Sequence, residues 1–297
     1  MILDQPVLDT LTLTQGAARC VMLPQAGGSI GAWSVAGQDM LRAAGESAVA
    51  ARDPYATAGF PLVPYSNRIA EGLFEWDGKP IKLTRNFPPE PHAIHGVGFE
   101  RPWQVAMRSN AAAELTYQHR PDAAWPFAFE ARQRVTLDGE SLLLELSAVN
   151  LEPQSVPLAF GHHPYFPRVG ARLTFEARCV WLVGDDGLPN VKVRPSGQYD
   201  FSQGLAAEHA EIDHCFTGWN GTARIEWAGK ARALEITASP ELNNAVVYIR
   251  REQESFCFEP VPHINNALNR RDRDAAMPVL ASGASFTASV RFQAVKR

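Results

Sequence analysis

The stretch Gln133-Arg134-Val135-Thr136-Leu137-Asp138-Gly139-Glu140-Ser141-Leu142-Leu143-Leu144-Glu145-Leu146 decides the fold class. Two runs rich in β-branched and aliphatic residues flank Asp138-Gly139. An Asp-Gly pair between such runs is a strong short-range hairpin signal, because a type I′ turn needs φ > 0 at both central residues. The same punctuation recurs outward from this point. Asp77-Gly78 separates Leu73–Trp76 from Lys79–Leu83, and Ala228-Gly229 separates Ala223–Trp227 from Arg232–Ile236. The run Ser285–Phe292 alternates apolar and polar residues, the period-two pattern of a strand with one buried face. Helical signal is confined to the short alanine-rich piece from Ala43 to Ala51. The 22 glycines and 22 prolines are spread along the whole chain, with no linker, repeat or low-complexity segment. The expectation is an all-β protein of many short antiparallel strands, one domain over residues 1–297, forming either two packed sheets or a barrel.

Bulk composition excludes several classes. A charged fraction of 20% with 45% hydrophobic residues reads as globular rather than disordered. A net charge of −4 and the lack of a basic block with interleaved aromatics argue against nucleic acid. No apolar run is long enough to cross a bilayer, so no membrane association is expected. Met1–Pro6 has neither a positive n-region nor an apolar core, which predicts no signal peptide and a cytoplasmic protein. Cys20, Cys179, Cys215 and Cys257 are far apart with no CxxC pair, and reduced thiols are the expected state.

The residues able to carry chemistry lie in a few segments. Histidines occur in two pairs, His92 with His95 and His162 with His163. A His-x-x-His spacing raises a zinc or iron site of the cupin-like kind. Adjacent strand residues point to opposite faces, however, so His162 and His163 should not share an ion. Glu259 ends the run Ser255-Phe256-Cys257-Phe258. With period two, Phe256 and Phe258 face one side while Cys257 and Glu259 face the other. A carboxylate there should be partly desolvated, which raises its pKa and makes it a better base near neutrality. His163 precedes Pro164 and should be extended. Arg68 and Asp213 read alone as surface ion-pair partners.

Taken in order, five segments resemble the aldose 1-epimerase family. They are Asn67-Arg68-Ile69, His95-Gly96 followed by Trp103, His163-Pro164-Tyr165-Phe166, Asp213-His214-Cys215-Phe216, and Glu259-Pro260. The resemblance runs from about Gly59 to Asn269. It implies a large antiparallel, galactose mutarotase-like β-sandwich with a sugar cleft, and anomer exchange without cofactor or metal. On it, Glu259 is the general base at the C1 hydroxyl and His163 the general acid at the ring oxygen. His95 hydrogen-bonds near that oxygen or C1, and Arg68, Asp213 and Asn67 belong to the sugar-binding set. The implied partner is a small-molecule sugar, and the implied state a monomer or homodimer. The acid limb of the rate should then follow the carboxylate and the alkaline limb the histidine. His162 and Pro164 depart from the sugar-specific branch, so the sugar itself stays open. A hexose 6-phosphate is an alternative substrate, with Arg168 and Arg172 as candidate phosphate ligands. Two further readings are a non-catalytic sugar-binding sandwich, and a glycoside hydrolase using Asp213 with Glu259. Trp33, Trp76, Trp103 and Trp219 offer flat faces for a sugar or, more simply, core.

Overall fold

Alternation of apolar and polar residues builds two large antiparallel sheets. The computed structural model describes residues 10–271 and 276–297. Met1–Pro6, where no signal peptide is expected, lies outside them. The first sheet has eleven strands, running in the order Leu11–Gln15, Ala18–Leu23, Ser29–Val35, Gly59–Leu62, Gly161–Pro167, Ser255–Val261, Asn244–Ile249, Ile212–Thr217, Cys179–Val183 and Pro189–Val193, with Gln38–Asp39 beside Ser29–Val35. The second has nine strands, with Phe129–Asp138, Ser141–Asn150 and Ser285–Lys296 near its middle. The single α-helix among the described residues is the six-residue Glu46–Ala51, inside the alanine-rich piece.

The two sheets meet through aromatic side chains. Phe292 of the second sheet lies 6.3 Å from Trp33 and 6.1 Å from Phe166 of the first, and Phe175 lies 5.0 Å from Phe258. Phe166, Phe256 and Phe258 are wholly buried. Burying each such ring contributes about 2–3 kcal/mol relative to leaving it exposed. The predicted alternation in Ser255–Val261 therefore has a physical cause: the phenylalanines face the second sheet, and the intervening residues face away from it.

The turns refine the hairpin reading. Asp77 and Gly78 both have positive φ (52° and 68°), as a type I′ turn requires. The decisive hairpin turns one residue later than expected. Asp138 pairs with Ser141, and Gly139 is the loop residue at positive φ (61°), the pattern of a type II′ turn. Glycine at the first loop position satisfies that geometry and lets Asp138 stay in the ladder. Ala228-Gly229 opens a longer loop, with Gly229 at positive φ.

Candidate active site

The strand Gly161–Pro167 changes partners along its length. His163 pairs with Phe60, whereas Tyr165 pairs with Cys257 on the neighbouring strand. Two-residue repetition then sets His163 beside Glu259, on the face turned away from the second sheet. Cross-strand register extends this face. Tyr165, Cys257, Tyr248 and Asp213 form one row over four strands, and Glu259, Val246 and Cys215 form the next. Tyr165, Tyr248, Asp213 and Glu259 of these rows line a cavity of about 480 Å³ together with His163, His95, Arg68 and Asn67. The six residues that the resemblance assigns to catalysis and sugar binding converge there. That volume suits a small polar ligand.

On the floor, His163 Nε2 is 3.3 Å from Glu259 Oε1. The imidazole stacks on Phe60 (4.6 Å, 23°) and tilts against Tyr165, which fixes its plane. His163 Nδ1 and Glu259 Oε2 have no protein partner. Burial pushes the Glu259 carboxyl well above its ordinary range, with nearby Asp213 adding to the rise and Arg68 opposing it. Burial, then the neighbouring His95 and His162, holds His163 well below its usual value. In a wetter site this contact would favour an ion pair. Here desolvation disfavours the charged form of both partners and so favours a single proton shared by the pair over a fully separated ion pair.

The opposite wall comes from loops. Asn67 and His95 both adopt left-handed conformations (φ 57° and 61°). They bond reciprocally: His95 N–H donates to the Asn67 carbonyl at 3.0 Å, and Asn67 N–H donates to His95 Nδ1 at 3.1 Å. With Nδ1 an acceptor, the neutral ring carries its proton on Nε2. Burial, aided by Arg68, lowers the His95 pKa to about 3, so the ring stays neutral and its remaining nitrogen is a donor. Gly96 follows at φ 74°, and a Cβ there would lie 2.3 Å from the Val63 carbonyl oxygen, so only glycine lets this loop close. Asn67 Oδ1 accepts from the Arg68 backbone N–H at 2.9 Å. Arg68 forks onto Glu90 (Nε 3.3 Å, Nη2 3.4 Å) and reaches Asp213 at 3.6 Å, where Arg250 also arrives at 3.6 Å.

Sequence reasoning missed two kinds of residue. Tyr55, Phe87, Tyr165 and Tyr248 are the aromatics that line the cleft. Trp33, Trp103 and Trp219 are instead core, and the half-buried Trp76 donates from Nε1 to the Ser155 carbonyl. The large rings serve packing because the interior between two wide sheets needs volume. His263 was not singled out either. Its Nε2 accepts from Ser66 N–H at 3.3 Å and its Nδ1 donates to the Ile264 carbonyl, which props the Ser66–Arg68 segment. Arg168 and Arg172 do not line the cleft. Their guanidinium groups donate to backbone carbonyls of Gln253, Arg251 and Gln203. The histidine pairs do not assemble an ion site. His92 Nδ1 accepts from Glu71 N–H and its Nε2 lies 2.9 Å from the Asp186 carbonyl oxygen, while His162 faces the core.

A broad antiparallel two-sheet protein with a buried carboxyl–imidazole pair in the middle of one sheet is the class that fold and site define together. The chain belongs to the aldose 1-epimerase family, which residues 9–293 match. It is 27% identical over 288 residues to the uncharacterised protein YphB of Escherichia coli K12, covering 94% of this chain and 96% of that one. It is 28% identical over 196 residues to the galactose mutarotase of Bos taurus, 58% of this chain and 56% of the relative. Among solved structures, a galactose mutarotase-like protein from Clostridium acetobutylicum superposes with a TM-score of 0.86 at 21% identity, covering 97% of this chain and 95% of that chain. This last likeness speaks to the fold alone. No helix among the described residues is long and apolar enough to cross a membrane.

Proposed function

We propose that this protein is an aldose 1-epimerase, a mutarotase that interconverts the α and β anomers of a free aldose by general acid–base ring opening and closure. The observation that carries the reading is the contact of 3.3 Å between His163 Nε2 and Glu259 Oε1 on the floor of a polar cleft. Opening a hemiacetal removes a proton from the C1 hydroxyl and delivers one to the ring oxygen. Two groups sharing one proton meet that requirement, each contributing roughly 10²–10⁴-fold. The reactive form has the shared proton on His163: Glu259, then a carboxylate, takes the hydroxyl proton while the His163 imidazolium protonates the ring oxygen, and the sugar hydroxyls bound over the pair stabilise this charge-separated form. The C1–C2 bond rotates in the open aldehyde, and the roles reverse on closure. His95 donates from Nε2 toward the reacting oxygens. Arg68 and Asp213 offer a donor and an acceptor to the sugar hydroxyls, and Asn67 positions His95 and Arg68. Similarity to galactose mutarotases supports this reading.

The test is polarimetry or NMR anomer exchange on freshly dissolved α-anomers across free and phosphorylated aldoses. Acceleration over buffer is expected for at least one unphosphorylated aldose. If no sugar in the panel equilibrates faster than in buffer, the proposal fails.

A further inference from the structure

The proposed chemistry uses Glu259 and His163 and leaves a third reactive side chain at the same spot unused. Cys257 sits two residues before Glu259 on the same strand and points to the same face. Its thiol is free and wholly buried. A ring nitrogen of His163, the Cys257 sulfur and a Glu259 carboxylate oxygen all lie within 4.8 Å of one another. Glu259 and His163 are more than nine-tenths buried, and each keeps one polar atom without a protein partner, Oε2 and Nδ1.

We infer that His163, Cys257 and Glu259 form an inhibitory binding site for zinc and similar thiophilic divalent cations. Thiolate, imidazole and carboxylate are the donors zinc prefers, at bond lengths of about 2.0–2.3 Å. Donor atoms on a tetrahedral zinc therefore stand about 3.5 Å apart. His163 and Glu259 already meet that spacing at 3.3 Å, and a small side-chain adjustment brings the sulfur in. Binding replaces the thiol proton and the proton held by the pair, both released to solvent, with no change of oxidation state. A dication also compensates the carboxylate and thiolate that this dry pocket otherwise keeps protonated. Two of its three ligands are the proposed acid–base pair and line the cleft, so an ion held here competes with the sugar. The site is one of inhibition, distinct from any metal requirement for anomer exchange.

The experiment titrates chelator-treated protein with ZnCl2 by calorimetry, and with CoCl2 by absorbance. Expected are one saturable ion per chain and a thiolate-to-cobalt charge-transfer band. Cys257→Ser should lose the band and weaken zinc binding roughly 30-fold or more, as expected on removing one of three protein ligands. In parallel, zinc should raise the apparent KM for the fastest aldose in wild type. Cys257→Ser should keep the zinc-free rate within about twofold while escaping inhibition. Zinc bound tightly with Cys257→Ser unchanged, or no saturable binding at all, overturns the inference. Because the binding arm needs no turnover, a protein that binds zinc as expected but exchanges no anomers would refute only the function proposed above.

Discussion

The two walls of the cleft are built by opposite means. The floor is regular sheet. His163 and Glu259 project from central strands whose backbone bonds are spent on neighbouring strands, and their own polar atoms are left partly unpartnered. The loop wall is irregular, yet its polar atoms are largely consumed internally: Asn67 by His95 and Arg68, and Arg68 by Glu90 and Asp213. A rigid ladder can hold desolvated groups in readiness for proton transfer, because it does not depend on them for its shape. A loop cannot, so it uses its polar side chains to hold itself and presents only what remains, chiefly the His95 Nε2–H.

The sharpest way to break this contrast is to substitute the floor. Glu259→Gln and His163→Asn should each lower kcat by roughly 10²-fold or more while leaving KM within a few-fold. Near-wild-type turnover in either folded variant would remove that residue from the proposed pair. A smaller effect is expected on the loop wall. Asn67→Ala places a residue that disfavours positive φ at a left-handed position, at a backbone cost of about 1–2 kcal/mol, and removes the Oδ1 that accepts from the Arg68 N–H. It should lower kcat/KM by roughly tenfold, mostly through KM, and Asn67→Gly should recover part of the loss. A fall in kcat as deep as that of Glu259→Gln would mean that the loop wall takes part in proton transfer.

The pH profile sharpens the comparison further. Activity needs the pair in its one-proton form. Burial lowers His163, so the second proton is added only below the ordinary histidine range near pH 6.5. Burial raises Glu259, so the single proton is lost well above the ordinary carboxylate range. The expected rate profile is a broad plateau with the acid limb set by the histidine and the alkaline limb by the carboxyl. This reverses the assignment expected from the sequence, because desolvation acts on both groups against charge. Profiles of the slow variants check it: His163→Asn should lose the acid limb and Glu259→Gln the alkaline one.

The smallest effect concerns the histidine next door. His162 is wholly buried on the core face, neither ring nitrogen has a protein partner, and burial lowers its pKa to about 3. Its folded value lies below its unfolded one, so the unfolded chain binds more protons between about pH 6.5 and 3. Stability is therefore lost as pH falls through that window. His162→Leu should leave anomer exchange unchanged and reduce the drop in unfolding free energy between pH 7 and 5 by about 2 kcal/mol, measured by urea denaturation. An unchanged drop would mean that His162 is not buried in neutral form.

Much of this was legible beforehand, for particular reasons. Glu259 could be read because Phe256 and Phe258 betray a strand with one dry face, and period two then fixes where the carboxylate points. His162 and His163 could be separated by the same alternation. Arg168 and Arg172 misled, because their neighbourhood in sequence to His163 says nothing about which carbonyls a long side chain will find. Tyr55 and Phe87 gave no signal, since an aromatic in a loop can face core, cleft or solvent. His263 was silent because its role is to accept a bond from Ser66, nearly two hundred residues away.

By itself, then, the sequence determined the antiparallel strands, their buried faces and the side chains able to move a proton, since side-chain alternation and turn chemistry are local properties of the chain. Tertiary structure decided that a partner switch along Gly161–Pro167 would bring His163 to 3.3 Å from Glu259. It also decided that Asn67 and His95, 28 residues apart, would lock each other in left-handed turns. Register between distant strands and the desolvation of the groups they carry depend on which surfaces the fold covers, and that is settled only when both sheets and their loops have packed.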